Sequence, residues 1–370
     1  MILARLEILL IACVVASACV LPGVFLVLRR VALMSDAISH AILLGIVVAF
    51  FVVQDLNSPI LIVAAAATGL LTVSLTELII QSGRLQKDAA IGLVFPVFFS
   101  IGVILINLYA GNVHIDNDMV LLGELAFAPF NRLVVNGLDL GPMGLWVMGT
   151  ILVLNAAFIA VFYKELKLST FDPALAGVLG FSPALIHYLL MAVVSITAVG
   201  AFDVVGSILV VALMITPPAA AYLWTHRLSR MIALSIAIGI ASAIGGYGMA
   251  IALNVSIAGS MACMTGVAFL ISLVFSTQNG LLTRYFRFQN QRVSFAAKIL
   301  LVQLLDHEGT SQEETENTVS HMEHHMEWAA GFSRRVTAYA VDQGLMTHSQ
   351  DRLFLTPLGR ETARQAMQMG

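Results

Sequence analysis

Two side chains that can bind a metal ion stand four residues apart within an apolar stretch of the chain. The segment SDAISH at 35–40 holds a carboxylate, Asp36, and an imidazole, His40, at positions i and i+4. On a helix these positions share one face, so both groups can point at the same spot. Ionisable groups at membrane depth are costly and are functional by default. One pair supplies two ligands, and two pairs facing each other across a dimer axis would supply the four of a transition-metal shell.

The pair has a structural alternative and a functional one. Asp36 could cap or bond a neighbouring helix while His40 is a satisfied core histidine. At roughly 1.5 Å per residue, the pair lies about 8–14 Å from the predicted start of its helix at residue 31. As a transient metal contact, carboxylate plus imidazole suits Mn²⁺, Fe²⁺ or Zn²⁺ and discriminates little among them. The spacing favours a membrane pathway for a divalent metal.

The elements that must position this pair are membrane helices. The chain of 370 residues is 59% hydrophobic and 11% charged, with a mean hydropathy of +0.92, whereas soluble domains carry about 25% charged residues. The composition predicts an all-α polytopic membrane protein with about nine transmembrane helices. We place the spans at 7–28, 31–53, 59–81, 89–110, 144–163, 185–201, 204–223, 230–253 and 257–276, with a very short turn at 200–203.

Basic residues predict the orientation. Lys and Arg recur at alternate connections, at Arg29 and Arg30, Arg84 and Lys87, Lys164 and Lys167, Arg227 and Arg230, and Arg284 and Arg287. Positive charge stays cytoplasmic, so the N-terminus is expected outside and the C-terminus inside. The first span also loosely resembles a lipoprotein signal ending at Cys19, but with eight further spans we interpret it as a retained helix. The three cysteines all fall in apolar runs and offer no disulfide framework.

Two connections between spans carry candidate functional residues. The long outer connection 111–143 includes His114, Asp116 and Asp118, which form either a solvated loop or an electronegative mouth that attracts cations and docks a partner. The cytoplasmic connection 164–184 predicts a short amphipathic helix from Phe171 to Gly180, because Asp172 can cap it and Pro173 suits its first turn. That helix is either a linker or a docking element for a cytoplasmic subunit that supplies energy.

These segments together resemble the permease subunit of the ABC importers that take up manganese, zinc or iron. The matching stretches occur in family order over about 1–276: PGVFLVLRRVALMSDAISHAILLGI at 22–46, QKDAAIGLVFPVFFSIGVIL at 86–105, HIDNDMVLLGEL at 114–125, FDPALAGVLGFSP at 171–183 and DVVGSILVVALMITPPAAAYL at 203–223. No single motif is decisive, but the ordered set is specific.

The resemblance implies a transport subunit rather than an enzyme. It would pair with a second permease, either a copy or a paralogue, and would work with a dimer of cytoplasmic ATPases and an extracytoplasmic metal-binding protein. The membrane lipid is its surroundings, the divalent metal is its cargo, and no permanently bound cofactor is expected. Independently, the chain contains no GxxxxGK[ST] phosphate loop, so a separate subunit must hydrolyse ATP. The predicted coupling helix would contact that ATPase through Phe171, Asp172, Pro173, Leu175, Ala176, Leu179 and Gly180.

The C-terminal part is a small, polar segment. We divide the chain into a permease domain at 1–280, a linker at 281–293 and a cytoplasmic winged-helix-like domain at 294–370. In that domain 298–305 is the first helix, 328–343 the third, and the stretch 344–366 a wing followed by a helix. From residue 287 onward, eight basic residues face ten acidic ones, so a protein-contact or regulatory module is favoured over nucleic-acid binding. His321, Glu323, His324 and His325 form a candidate metal site or an exposed polar helix face.

Three other functions were weighed. A permease for a chelated metal, such as a siderophore, would need a wide aromatic-lined path, and only 8% of the residues are aromatic. A membrane receptor that senses metal and signals through the winged-helix-like tail would have no need of an ATPase. An intramembrane metalloprotease is disfavoured because no HExxH occurs in any span. Glu77 and His187 lie near the cytoplasmic ends of their spans and are interpreted as interfacial.

Overall fold

The computed structural model describes residues 2–54, 58–109, 125–135, 138–309, 317–318, 326, 328–349 and 352–369. The chain divides into two compact units, residues 1–279 and 280–370, and each is described by itself. We call them the membrane unit and the tail unit.

Long apolar helices build the membrane unit. They are α1 (Ile2–Leu28), α2 (Leu33–Val53), α3 (Pro59–Gln81), α4 (Lys87–Tyr109), α5 (Met143–Val161), α6 (Tyr163–Phe171), α7 (Pro173–Val178), α8 (Pro183–Val205), α9 (Ser207–Trp224), α10 (Leu228–Leu253) and α11 (Ile257–Phe275). Across the residues described, nine of these are long and apolar enough to cross a membrane, which confirms the predicted number of spans. A small antiparallel hairpin of β1 (Arg132–Val135) and β2 (Leu138–Pro142) precedes α5.

The predicted turn at 200–203 is wrong. Helix α8 continues through these residues to Val205, and the break comes at Gly206, with φ 79° and ψ 165°. Only glycine adopts this backbone conformation without steric strain. Hydropathy could not locate the break, because apolar residues continue on both sides of it.

Helix α1 lies at the centre of the membrane unit. It packs against α5, α8, α9 and α10, and its residues from Val15 to Leu26 are almost all buried. Its approach to α9 depends on Gly23, where an added methyl group would overlap the backbone carbonyl oxygen of Met214. Small residues allow helix backbones to approach closely where lipid provides no hydrophobic drive for association.

A methyl group at Gly23 is therefore expected to destabilise the protein. We expect Gly23→Ala to lower the free energy of unfolding by about 1–3 kcal/mol, the usual effect of overpacking. The matched control is Gly92→Ala, since a methyl group there would have no neighbour within 4 Å. Thermal unfolding of the two variants in detergent, followed by fluorescence-detected size exclusion, measures the difference. Equal melting temperatures would show that α1 and α9 are not tightly packed at this point.

A buried amide joins three of the central helices. The Asn155 side-chain nitrogen in α5 donates to the carbonyl oxygen of Ala18 in α1 (2.9 Å) and to the hydroxyl of Thr197 in α8 (2.9 Å). Asn155 and Thr197 are completely buried. Inside an apolar bundle such bonds hold neighbouring helices in one register.

The tail unit contains α12 (Leu281–His307), α13 (Ala330–Asp342), β3 (Met346–Ser349), β4 (Arg352–Leu355) and α14 (Pro357–Met369). The strands pair antiparallel, and a small core forms around Leu300, Leu301, Val336 and Leu353. Residues 281–293, assigned above to a linker, form the first half of α12. The assignment to the winged-helix class stays a prediction.

Candidate functional site

The Asp36 and His40 side chains meet on one face of α2. Nε2 of His40 lies 3.4 Å from Oδ1 of Asp36, and the two side chains are 30% and 38% exposed, respectively. The residues between them, Ala37, Ile38 and Ser39, are buried. The pair therefore occupies the partly open face of a helix that is otherwise packed against α3, α4, α8 and α9.

The pair lies nearer to the start of the helix than the sequence predicted. Helix α2 begins at Leu33 rather than at residue 31, so Asp36 falls in its first turn. At roughly 1.5 Å per residue, Asp36 and His40 lie about 4.5 and 10.5 Å from that start. A carboxylate in the first turn lies near the positive end of the helix dipole, which is a favourable position for a negative charge.

Two aromatic rings of α4 hold the imidazole. The His40 ring stacks on Phe95 with centroids 5.8 Å apart and meets Phe99 edge-on at 5.7 Å. Sequence reasoning missed both residues. Their spacing of four places them on one helix face, but they stand in a run that is apolar throughout, so nothing in the sequence distinguishes them from lipid-facing residues. In the structure they contact the ring while its Nε2 faces Asp36.

One chain offers two candidate metal ligands at this position. Within the described ranges, no group of three or more His, Cys, Asp or Glu side chains is placed to hold a metal ion. Asp36 and His40 can therefore contribute two ligands, while tetrahedral transition-metal sites take four. The other ligands must come from a second molecule or from water.

Two of the predicted sites lie outside the described residues. These are the outer mouth at His114, Asp116 and Asp118, and the tail cluster at His321, Glu323, His324 and His325. Within the described part of the same outer connection, an ion-pair network ties the hairpin to α1: Arg132 lies 2.5 Å from Asp139 and 3.4 Å from Glu7. The amide of Gly141 and the Arg132 guanidinium hold the pKa of Asp139 below its usual value.

The predicted coupling helix is shorter than expected at its start. Asp172, with φ −146°, interrupts the helix, and Phe171 ends α6 instead of beginning α7. Residues before proline are pushed out of the helical region by its ring, so Pro173 explains the break. As predicted, Asp172 caps α7, since its Oδ1 accepts a hydrogen bond from the Leu175 amide (2.9 Å). Gly180, at φ +86°, follows the end of α7.

Large apolar side chains around α7 are exposed. Of the seven residues predicted for coupling, Ala176 is buried, while Phe171, Leu175 and Leu179 are exposed, as is the neighbouring Val178. Single exposed apolar residues are ordinary, but four within nine residues, on α7 and directly beside it, form a patch of the kind that marks an interaction surface. We call Phe171, Leu175, Val178 and Leu179 the α7 patch.

Arg29, directly after α1, connects the base of this patch to the bundle. Its guanidinium donates to the Ser169 hydroxyl (2.7 Å), to the Thr170 hydroxyl (3.1 Å) and to Nδ1 of His187 in α8 (3.3 Å). Ser169 and Thr170 lie in the last turn of α6, just before Asp172. Burial lowers the pKa of Arg29 to about 10, which leaves the group charged at neutral pH.

The network continues from His187 to α3. Because a guanidinium can only donate hydrogen bonds, Nδ1 of His187 must accept, and the proton of the neutral ring lies on Nε2. That nitrogen faces the carboxylate of Glu77 in α3 at 3.8 Å, a distance longer than a hydrogen bond. We call Arg29, Ser169, Thr170, His187 and Glu77 the Arg29 network. The sequence placed Glu77 and His187 near helix ends. It gave no sign that Arg29 bonds to His187 and to Thr170, which stands 141 residues further along the chain.

Comparison with known proteins assigns the family. The profile of the ABC 3 transport family matches residues 4–276. The chain belongs to the ABC 3 transport family. It is 44% identical over 359 residues to the zinc transport system membrane protein TroD of Treponema pallidum, which covers 97% of this chain and 98% of TroD. It is 50% identical over 278 residues to the manganese transport system membrane protein MntD of Bacillus subtilis, covering 75% of this chain and 94% of MntD.

A solved structure agrees with this assignment. The structure of PsaBC from Streptococcus pneumoniae in complex with Fab matches with a TM-score of 0.63 and 29% identity, covering 76% of this chain and 94% of the PsaBC chain. The predicted family and the predicted multi-span helical fold are confirmed. Members of the ABC 3 transport family are transport components, so the chain is a membrane transport subunit and not an enzyme.

Proposed function

We propose that this ABC 3 family chain is the permease of an ATP-driven importer for manganese or zinc in the bacterial inner membrane. The observation that carries the proposal is the Asp36–His40 pair on the partly open face of α2. Its two donors suit Mn²⁺, Zn²⁺ or the Fe²⁺ also predicted above. The relatives TroD and MntD are named for zinc and manganese transport, respectively, which supports the first two metals.

The pathway is proposed to form between two permeases, either two copies of this chain or a copy and a paralogue. Each would present Asp36 and His40 from its own α2, so four donors converge on one ion. A half-exposed carboxylate and imidazole at membrane depth are costly when they face lipid, and a partner permease would cover them. The resulting site is open to water on its remaining sides, which suits a step that must bind the metal and then release it.

The residues around the pair have distinct tasks in this scheme. Asp36 supplies carboxylate oxygens that can replace water ligands of the cation. His40 binds through a neutral ring nitrogen. Phe95 and Phe99 fix the direction of that ring and exclude water from its two sides.

ATP hydrolysis is proposed to reach the pathway through the α7 patch and the Arg29 network. With the N-terminus outside and the C-terminus inside, α7 lies on the cytoplasmic side, where a separate ATPase dimer can bind Phe171, Leu175, Val178 and Leu179. Arg29 then links the end of α6 to α1, and His187 extends the link to α8 and α3. The outer connection would receive the extracytoplasmic metal-binding protein.

Metal uptake by the complete transporter tests the proposed function. Cells that carry the chain with its ATPase and binding-protein partners are supplied with radiolabelled Mn²⁺, Zn²⁺ or Fe²⁺. We expect uptake of Mn²⁺ or Zn²⁺ that stops when the ATPase is inactivated. Uptake of a metal chelate, with none of the free ions, would contradict the proposal.

Removal of the tail unit is expected to leave transport intact. The match to MntD covers 94% of that protein in 278 residues, about the length of the membrane unit, so a permease of that size is sufficient in a relative. We expect a chain ending at Gly280 to retain more than half of the uptake at equal membrane abundance. A loss beyond tenfold would place part of the transport machinery in the tail and overturn the proposed division into a permease domain and a regulatory module.

A further inference from the structure

The first half of α12 exposes an apolar surface. Its large exposed side chains are Leu281, Leu282, Tyr285, Phe286 and Phe288, and the exposed Phe295 follows just beyond this half. The second half differs, since Ala297, Leu300 and Leu301 pack into the core of the tail unit. The helix thus has a packed C-terminal half and an apolar N-terminal half with an unoccupied surface. It begins six residues after Phe275, the last residue of the final membrane span.

The charges on the first half of this helix are all positive. Arg284, Arg287, Arg292 and Lys298 are basic, and the first acidic residue of α12 is Asp306, in its last turn. The surroundings of the exposed half must therefore be both apolar and negatively charged. This is a local property: over the tail as a whole, acidic residues outnumber basic ones.

A second copy of α12 is a poor partner for this surface. Residues 281, 285, 288, 292, 295 and 299 follow the four-three spacing of a coiled-coil seam, which would suggest helix pairing. Arg292 occupies the seam, however, with its guanidinium over the rings of Phe288 (6.0 Å) and Phe332 (5.6 Å). Two such helices would bring like charges together with no acidic residue to neutralise them.

We propose that the first half of α12 lies on the anionic lipid surface of the membrane. Tyr285, Phe288 and Phe295, which share one face of the helix, would sit at the headgroup level, as aromatic residues do at membrane interfaces. Arg284 and Arg287 would contact lipid phosphates, because basic amphipathic helices are attracted to negatively charged leaflets. The continuity with the last span places the helix within reach of that surface. The result is a tail unit anchored to the bilayer at its first helix.

Photo-crosslinking of the full chain in lipid nanodiscs tests this proposal. The chain is produced with its partner subunits, with p-benzoylphenylalanine in place of Tyr285 or of Phe295. The control position is Asn290, which is also exposed but lies about 140° around the helix from Tyr285, at about 100° per residue. The nanodiscs contain either phosphatidylcholine alone or phosphatidylcholine with phosphatidylglycerol.

We expect phosphatidylglycerol adducts at positions 285 and 295 at least fivefold above those at 290. The double variant Arg284→Glu/Arg287→Glu should reduce them severalfold, while Arg284→Lys/Arg287→Lys, which keeps the charge, should not. Adducts to a second copy or to the ATPase would overturn the proposal, as would equal lipid adducts at all three positions. Equal yields of lipid adducts with and without phosphatidylglycerol, or no effect of the charge reversal, would refute the proposed preference of α12 for anionic lipid.

Discussion

Uptake of the transported metal is expected to fall below a tenth of the wild-type rate when His40 is replaced by alanine. The substitution removes one of the two donors that each chain presents at the pathway, and with two copies it removes two of four. Asp36→Asn should have a similar effect, because it keeps the shape of the side chain but removes the charge that compensates the cation for its lost hydration. Initial rates of radiolabelled Mn²⁺ and Zn²⁺ uptake, at equal abundance in the membrane, measure both effects.

A second carboxylate in the first turn of a span provides the control for Asp36. Asp88 lies in the first turn of α4, so Asp88→Asn removes an equivalent charge from a helix start without touching the proposed pathway. We expect it to retain most of the uptake. If Asp88→Asn is as damaging as Asp36→Asn, the loss comes from the helix end and not from metal binding. Unchanged uptake in both His40→Ala and Asp36→Asn would make the pair a packing feature and refute the proposed site.

Substitution of an aromatic neighbour of His40 distinguishes a role in metal binding from a role in packing. Phe95→Leu keeps an apolar side chain of similar volume but removes the ring that stacks on His40. If the imidazole must be held in one direction, uptake should fall severalfold, with a higher metal concentration needed for half-maximal rate. A role of His40 in packing alone would leave that concentration unchanged.

The sequence predicted those features that depend on average hydropathy or on the regular spacing of residues along a helix. The nine spans rest on hydropathy averaged over about 20 positions, and the Asp36–His40 pair rests on helical spacing, so neither needs knowledge of the neighbours. The break at Gly206 was missed because a single backbone angle decides it within an apolar run. The later start of α2 shows the same limit, since a shift of two residues at a helix end changes the depth of a site by about 3 Å.

Contacts between distant segments were beyond reach for a different reason. Which of the many phenylalanines contact His40 depends on how α4 packs on α2, and this packing cannot be read from the sequence. Arg29 was interpreted only as one of the basic residues that set the orientation of the spans. Arg29 does lie in the connection after α1, but its guanidinium is turned inward to Ser169, Thr170 and His187. The sequence shows the charge at such a position and not its partners.

Arg29→Ala is expected to uncouple ATP hydrolysis from metal transport. Without the guanidinium, the last turn of α6 loses its hydrogen bonds to α1, and His187 loses the donor that faces Nδ1. Hydrogen bonds to a charged group contribute about 1.5–3 kcal/mol each, so the α7 patch would no longer move together with α1 and α8. We expect ATPase activity of the assembled transporter within threefold of wild type and metal uptake below a tenth of it.

The neighbouring Arg30 supplies the control for charge and topology. Its side chain is exposed, so Arg30→Ala removes one positive charge from the same connection and should leave the ratio of metal uptake to ATP hydrolysis unchanged. Arg29→Lys keeps the charge but replaces the forked guanidinium by a single ammonium, which cannot reach Ser169, Thr170 and His187 in the same geometry, and partial coupling should result. Normal rates of both ATP hydrolysis and uptake in Arg29→Ala would show that the ATPase acts on the helices by another route. A proportional loss of hydrolysis and uptake would instead make Arg29 a residue of general stability, because a merely unfolded fraction lowers both activities together and leaves their ratio intact.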